Sequence, residues 1–341
     1  MAKLKQAGAV AWLAGIAVCI GLTIWSGPAA VGHAVISVGW GLLLIVLVRA
    51  VTVVAAGAGW WLLFPAKMRP RLRTCVLLRF IREAGNVLLM QVGGDLVGAR
   101  LLTARGVSGP LAGASIVVDV LVAAVTQLLF AMVGLIALIA LEADPTLVRI
   151  VAGALAVAAL MLVGFYLVQH RGGQRIFRWG IGLVTGAQSW RALGTVDAVY
   201  QNLALIYSDR SRTIGSGLLH LVSWIIGVAE VSIALALMGH PVGIAEALII
   251  ESLLHAIRGA AFTVPAALGA QEAGLVMLCG LFGIAPEQAI ALSLVKRAAD
   301  LLLGLPGLLA WQAAEWRQMK RSYLLSADLA ARLSRRRNPP I

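Results

Sequence analysis

Charged and ionisable side chains occur inside several long apolar segments of this sequence. A charge near the centre of a membrane helix costs at least about 2.5–3.5 kcal/mol, so each such residue requires a partner or a functional purpose. Side chains of these types can bind a polar headgroup, carry protons or pair with one another. The candidate substrate-binding residues are Arg49, Asp95, Arg100, Asp119, Glu230, Glu251, His255, Arg258, Glu272 and Arg297.

Two of these residues, Asp95 and Glu272, occupy matching positions in similar segments, QVGGD and LGAQE. Asp95 precedes Gly106 by 11 residues, Glu272 precedes Gly283 by 11 residues, and each glycine is followed by a long apolar stretch. Paired interrupted segments in the two halves of a membrane protein are typical of a transport site near the bilayer midplane. A chance similarity between two Gly-, Ala- and Leu-rich stretches is the alternative interpretation.

A second group consists of Glu251, His255 and Arg258. Their spacings of 4 and 3 residues place all three on one helical face, whereas Glu246 points away and suits the first turn of the helix. The stripe can bind a polar headgroup or relay protons, or it can be a charge ladder that only stabilises its segment. Two potential metal ligands without a third are weak evidence for a metal site, and we predict no metal or other cofactor.

Arginines in the first interrupted segment suit phosphate, because guanidinium groups form bidentate hydrogen bonds and stay charged when buried. We expect Arg79 and Arg82 to extend to the cytoplasmic interface. Arg100, which is close to Asp95 in sequence, is the stronger candidate for binding.

Two further charged positions differ in their sequence neighbours. Arg297 and Asp300 are three residues apart, a spacing that predicts a structural ion pair. Arg49 has no partner nearby in sequence, so structural and functional interpretations both stay open.

The amino-acid composition indicates the class of protein in which these residues occur. Hydrophobic residues make up 60% of the 341 residues, charged residues 13%, and the mean hydropathy is +0.92. These values exclude an ordinary soluble domain and predict an all-α polytopic membrane protein with a single transmembrane domain over 1–341. The net charge of +13 is concentrated in short loops and the tail, as in cytoplasmic loops, and does not indicate nucleic acid binding.

The hydropathy pattern predicts about six full spans and two re-entrant helical hairpins. The spans cover about residues 7–26, 34–64, 111–141, 148–169, 214–239 and 287–313. The hairpins cover 75–105 and 243–283, and 170–213 is a cytoplasmic polar segment in which about 186–208 suits an amphipathic surface helix. Three cysteines, Cys19, Cys75 and Cys279, are expected to pack as small apolar residues.

The distribution of basic residues predicts the orientation of these elements. Both termini are expected to be cytoplasmic, with the first segment an uncleaved span. The first hairpin would then enter from the cytoplasmic side and the second from the external side. This arrangement makes 75–141 and 243–313 an inverted repeat.

Two short motifs resemble known families. Residues 82–86 (REAGN) followed by QVGGD resemble the HpnL family of hopanoid-biosynthesis-associated membrane proteins. Pro265, Gly269, residues 271–274 (QEAG) and Arg297 resemble the wider family of lysylphosphatidylglycerol synthase membrane domains. The resemblance covers about residues 40–313 and implies a lipid flippase domain, with hopanoid handling implied by the first family.

Departures from the family pattern qualify this implication. No segment resembles the soluble aminoacyl-transferase domain, so synthase activity is not implied. Met90 stands where the family often has proline, and Asp119-Val120 stands where it has Glu-Arg. These differences imply a different lipid headgroup.

We therefore predict a lipid transporter or flippase that moves a hopanoid or phospholipid across or out of a bacterial inner membrane. No hydrolase or transferase motif is present, and the longest polar segment is too short for an ordinary catalytic domain, so we predict no enzymatic activity. An integral-membrane lipid-modifying enzyme using Glu251 and His255, and a scaffold for hopanoid biosynthesis, remain the alternatives. The predicted partners are membrane lipids and no nucleic acid, with a homo-oligomer or a lipid-biosynthesis complex left open.

Overall fold

A computed structural model describes residues 28–88, 93–170 and 196–304, except 262, 263, 265 and 266, together with a few isolated residues. Every regular element within these ranges is helical. The first six helices are α1 (Pro28–Val38), α2 (Gly41–Leu62), α3 (Leu72–Leu88), α4 (Gly93–Thr103), α5 (Gly109–Ala140) and α6 (Pro145–Val168). The others are α7 (Val196–Ser208), α8 (Arg210–Leu237), α9 (Ile244–Ala260), α10 (Ala270–Gly280) and α11 (residues 286–304).

Among the described residues, four helices are long and apolar enough to cross a membrane: α2, α5, α6 and α8. They lie within or close to four of the predicted spans and confirm a polytopic α-helical membrane protein. The second span does not begin at residue 34 as one helix, because the chain breaks at Gly39, whose φ of 48° is a left-handed conformation that suits glycine. The first predicted span lies outside the described residues, and the total of six spans stays a prediction.

Helix starts follow local capping chemistry. Asp144 accepts hydrogen bonds from the backbone N–H groups of Thr146 (2.7 Å) and Leu147 (3.2 Å), and Pro145 occupies the first turn of α6. These backbone hydrogen bonds lower the pKa of the exposed Asp144 carboxyl. Asp209 accepts from the Arg212 N–H at the start of α8 in the same way. Both aspartates are therefore helix caps.

Both predicted hairpins are pairs of packed helices with matching lengths. The pairs α3–α4 and α9–α10 each consist of a 17-residue helix followed by an 11-residue helix. At about 1.5 Å per residue the short helices are roughly 17 Å long, about half of the hydrocarbon core. A short second helix that packs on the first is the geometry expected of a hairpin. The depth and orientation of the two hairpins stay predictions.

The segments that follow the two pairs also match. Gly106 (φ 92°) and Gly283 (φ 70°) end the turns after α4 and α10 in a left-handed conformation. A long helix, α5 or α11, begins three residues after each glycine. The similarity first seen in the sequence thus extends to helix lengths and turn geometry, whereas the inverted orientation of the two halves stays a prediction.

Each helix pair belongs to its own apolar core. One core joins the end of α2 to α3, α4, α5 and α7, with Trp60 and Leu102 fully buried. The other joins α8, α9, α10 and α11. Helix α2 packs along α8 and connects the two regions. Cys75 and Cys279 are buried within these cores, which confirms their role as small apolar residues, and Cys19 lies outside the described residues.

The polar segment 170–213 is described only in part. Its helix α7 buries Val199, Leu203 and Ile206 and packs against α5. The apolar face of this predicted surface helix is therefore covered by protein rather than by lipid. Residues 186–195 of the predicted helix lie outside the described residues.

Candidate functional site

A polar cavity of about 250 Å³ lies among α2, α3, α5, α8 and α9. It is in contact with the first helix of both helix pairs, α3 and α9. The ionisable side chains on its wall are Arg49, Arg79, Glu83, His220, His255 and Arg258. The cavity is thus rich in arginine, although apolar helices surround it.

One buried ion network lies on the α3 side of the cavity, and we call it the Asp119 network. The Asp119 side chain is fully buried and accepts hydrogen bonds from Arg79 Nη1 and Arg82 Nη1, both at 2.8 Å. His220 Nε2 lies 3.0 Å from the other Asp119 oxygen. Arg79 and Arg82 are three residues apart on α3, which directs both towards α5. A buried aspartate in the first half of α5 is thereby compensated by two cations.

Each arginine of the Asp119 network also binds a second carboxylate. Arg82 donates to Asp95 at 2.8 Å, and Arg79 forms a 2.8 Å ion pair with Glu83 on the next turn of α3. The Arg82 guanidinium also lies over the Trp60 ring at 4.6 Å, a cation–π contact. Asp95, the third residue of α4, therefore fixes α4 against α3.

A second network, the Lys296 network, lies on the α9 side. Lys296 Nζ donates to Glu230 Oε2 at 2.9 Å and to both oxygens of Glu251 at 2.9 and 3.0 Å. His255 Nε2 lies 3.1 Å from Glu251 Oε1. The Lys296 side chain is nearly completely buried, so its charge is compensated by carboxylates from α8 and α9.

Arg49 connects the Lys296 network to the cavity. Its Nη2 atom forms a 2.8 Å ion pair with Asp300 on α11, and its Nη1 atom is 3.8 Å from Glu230. Arg258 Nη2 is 3.9 Å from the second Asp300 oxygen. Asp300 thus lies behind two arginines of the cavity wall.

The central ion pairs of the two networks occupy equivalent positions with reversed charges. Arg79 is the eighth residue of α3 and Glu251 is the eighth residue of α9. Their partners Asp119 and Lys296 each follow the turn glycine, Gly106 or Gly283, by 13 residues. The same two helical positions are therefore joined by an arginine–aspartate pair in one half and a glutamate–lysine pair in the other.

Glu272 determines how α10 begins. Its Oε2 accepts from the Gly269 backbone N–H at 2.7 Å, and its Oε1 accepts from Ser293 Oγ at 2.6 Å and from Arg297 Nε at 2.8 Å. Gly269 has φ 78°, which a side chain would disfavour. The carboxylate therefore joins the turn before α10 to α11, and it lies outside the cavity wall.

A family model for the transmembrane region of lysylphosphatidylglycerol synthase matches residues 12–307. The chain belongs to this family. No curated protein and no solved structure is significantly similar to it. The matched residues include both networks and the cavity, and membership together with the apolar helices indicates a lipid-related function in a membrane.

The candidate residues predicted from the sequence differ in their position relative to the cavity. Arg49, His255 and Arg258 line the cavity. Asp119, Glu230 and Glu251 lie behind the wall and bind residues that line it. Four candidates do not line the cavity: Asp95, Arg100, Glu272 and Arg297. Asp95 binds Arg82 of α3, whereas Glu272 binds Arg297 of α11, so the two matching acids form separate contacts.

Two sequence-based expectations about arginines are wrong. Arg79 and Arg82 do not extend to the interface, because both bind the fully buried Asp119, whereas the favoured Arg100 is exposed on α4. Arg297 does not pair with Asp300, because Arg297 binds Glu272 while Asp300 binds Arg49. The two side chains point to different helices despite their spacing. By contrast, the contact between Glu251 and His255 confirms their shared face, and Glu246 caps α9 as expected.

Sequence reasoning also missed residues of the site. Glu83 and His220 line the cavity without having been considered, and Arg79 lines it although we expected it at the interface. His220 lies in a predicted apolar span, and a histidine at such a position was the available signal. In the described ranges, no group of three His, Cys, Asp or Glu side chains is arranged to hold a metal ion.

Proposed function

We propose that this protein moves a membrane lipid between leaflets or out of the membrane, with the headgroup in the cavity and the apolar body in the surrounding lipid. The observation that carries the proposal is the arginine-lined cavity of about 250 Å³ among helices that can cross a membrane. Charged residues inside the membrane region of a protein are rare, and they mark substrate and ion pathways in many membrane proteins. Pockets that enclose drug-sized ligands measure about 300–1,000 Å³, so this one suits a headgroup better than a whole lipid.

The matching helix pairs support the same proposal. Transporters often consist of two repeats of opposite orientation, with the substrate site between them. Here the cavity lies between α3 of one pair and α9 of the other. We propose that the pairs belong to such an inverted repeat, in a bacterial inner membrane with both termini cytoplasmic. Family membership favours a phospholipid as substrate, and the motif resemblance to HpnL favours a hopanoid.

Reconstitution tests this function. Purified protein in vesicles is supplied with labelled phospholipids and a labelled hopanoid, and the rate of movement between leaflets is measured. Protein-free vesicles and vesicles with heat-unfolded protein are the controls. We expect at least one lipid to move faster than in both controls. If folded protein accelerates none of them, the transport proposal is refuted.

An enzymatic function is the second candidate, because His255 lines the cavity and contacts Glu251 at 3.1 Å. A carboxylate that orients a histidine is a common arrangement for general base catalysis. However, Lys296 binds both Glu251 oxygens, so the carboxylate already has a structural partner. Mass spectrometry of lipids recovered from the vesicles separates the candidates: transport leaves every lipid chemically unchanged, whereas an enzyme produces a new species that disappears in His255→Gln.

A further inference from the structure

We infer that the cavity selects an anionic, phosphate-bearing lipid headgroup and rejects cationic aminoacylated and neutral polyol headgroups. This inference rests on the proposed function, because it names the substrate class of the same cavity. It also departs from the family description, whose named lipid carries a lysyl group.

The charged groups of the cavity wall favour an anionic headgroup. Three guanidinium groups, those of Arg49, Arg79 and Arg258, line the cavity, and Glu83 is the one carboxylate among the described lining residues. Three further carboxylates that pair with these arginines, Asp119, Glu230 and Asp300, lie behind them and outside this wall. A headgroup that enters the cavity therefore meets three guanidinium groups and one carboxylate, that of Glu83.

The arginines differ in how firmly the protein holds them. Arg49 and Arg79 have carboxylate partners at 2.8 Å, which fix their guanidinium groups before a ligand arrives. The buried Nε of Arg79 has no hydrogen-bond partner among the described residues. Such fixed donors lower the entropy cost of binding, since their side chains are already ordered.

Arg258 is the donor most available to a ligand. Its Nη2 atom is 3.9 Å from Asp300, which is too far for a hydrogen bond, and no described residue forms one with Arg258. Its side chain is 20% exposed and lines the cavity, so its five N–H donors can be directed to phosphate oxygens. A phosphate would thereby supply the hydrogen bonds that the protein does not.

The same geometry disfavours the other headgroups. An ammonium group needs carboxylate or carbonyl acceptors, and the one lining carboxylate, Glu83, already binds Arg79 at 2.8 Å. A neutral polyol can accept hydrogen bonds from Arg258 but brings no charge to the three arginines. A phosphate accepts two parallel N–H···O bonds from one guanidinium group and brings a negative charge to the arginines, so phosphate is preferred.

Equilibrium binding to the purified full chain in detergent tests the selection. The probes are short-chain phosphatidylglycerol, its lysyl derivative, short-chain phosphatidylcholine, a hopanoid polyol and inorganic phosphate. We expect phosphatidylglycerol to bind at least about tenfold more tightly than the lysyl or polyol lipid. A lysyl or polyol lipid that binds as tightly overturns the inference. Inorganic phosphate that competes at the same concentration as the lipid assigns the site to free phosphate and also overturns it.

Variants of Arg258 tie the selectivity to this cavity. Arg258→Gln removes no hydrogen bond between described residues and should therefore fold. We expect it to weaken phosphatidylglycerol binding by about 10–100-fold, with Arg258→Lys intermediate. Arg149→Gln, which removes an exposed arginine of α6, should bind like the unaltered protein. Equal binding by Arg258→Gln and the unaltered protein contradicts the inference.

The binding and transport experiments distinguish failure of the headgroup selection from failure of the transport proposal. Selective, Arg258-dependent binding without movement between leaflets refutes the transport proposal but supports the headgroup selection. Movement of a lysyl or polyol lipid in preference to the anionic lipid supports transport but refutes the selection.

Discussion

Replacement of Lys296 by methionine should cause the largest loss of stability among single changes in the two ion networks. Methionine has a similar length but no charge, so Glu230 and Glu251 would be left buried without their shared partner. Glu251 would keep only His255 at 3.1 Å, and Glu230 only Arg49 at 3.8 Å. Breaking a buried ion pair by removing one partner costs about 3–5 kcal/mol, and we expect a loss in this range.

The equivalent change in the other network should cost less. In Asp119→Asn, Arg79 keeps Glu83 and Arg82 keeps Asp95, each at 2.8 Å. Both cations therefore retain a carboxylate, and we expect a loss of about 1–3 kcal/mol, the cost of weakened hydrogen bonds to charged groups. The different expectations follow from the second partners. Those of the Asp119 network are full charges at 2.8 Å, whereas those of the Lys296 network are a histidine and an arginine at 3.8 Å.

Unfolding in detergent micelles, followed by tryptophan fluorescence, measures these free energies. Lys67→Met, which removes an exposed lysine in the short 3₁₀ helix between α2 and α3, is the control and should change the free energy of unfolding by less than about 0.5 kcal/mol. The triple change Lys296→Met, Glu230→Gln and Glu251→Gln should recover part of the loss, because neutral replacement of a whole buried network is often tolerated. A Lys296→Met protein within about 1 kcal/mol of the unaltered one, or more stable than Asp119→Asn, would refute this reasoning.

Two further matched comparisons test the helix pairs. A Cβ at Gly94 would lie 2.0 Å from the Arg82 backbone oxygen, so Gly94→Ala should lower the free energy of unfolding by about 1–3 kcal/mol. Gly153→Ala is the control: nothing lies within 4 Å of its Cβ, so the free energy of unfolding should stay unchanged or rise by up to about 1 kcal/mol. Equal effects of the two changes in the same unfolding assay would contradict the close approach of α3 and α4. Glu272→Gln should lower the free energy of unfolding by about 1–3 kcal/mol, because the buried carboxylate binds Gly269, Ser293 and Arg297. Glu246→Gln, which alters a similar but exposed cap of α9, should lower it by less than about 1 kcal/mol. The reverse order would show that Glu272 does not hold α10.

Local features of this fold could be predicted from the sequence. Long apolar runs without breaks became α5, α6 and α8, because a run of this length can satisfy its backbone only as a helix in lipid. Glycines and charges in the two interrupted segments marked the helix pairs. The 4-residue spacing of Glu251 and His255 gave their contact, since helix geometry alone determines it.

Long-range pairing could not be predicted in the same way. The partners of Lys296 are 45 and 66 residues away, and the partner of Arg79 is 40 residues away. Which charges meet depends on how the helices pack, and hydropathy carries no information about this. For the same reason Arg297 and Asp300 were paired with each other rather than with their partners on other elements.

The most direct test of a headgroup pathway through this cavity is the movement of a labelled anionic phospholipid between vesicle leaflets. Its rate is compared for the unaltered protein and Arg258→Gln. Both proteins should be folded, because Arg258 forms no hydrogen bond with a described residue. We predict faster movement than in protein-free vesicles for the unaltered protein and a rate at least about tenfold lower for Arg258→Gln. Equal rates for the two proteins, or no movement with either, would contradict a headgroup pathway through this cavity.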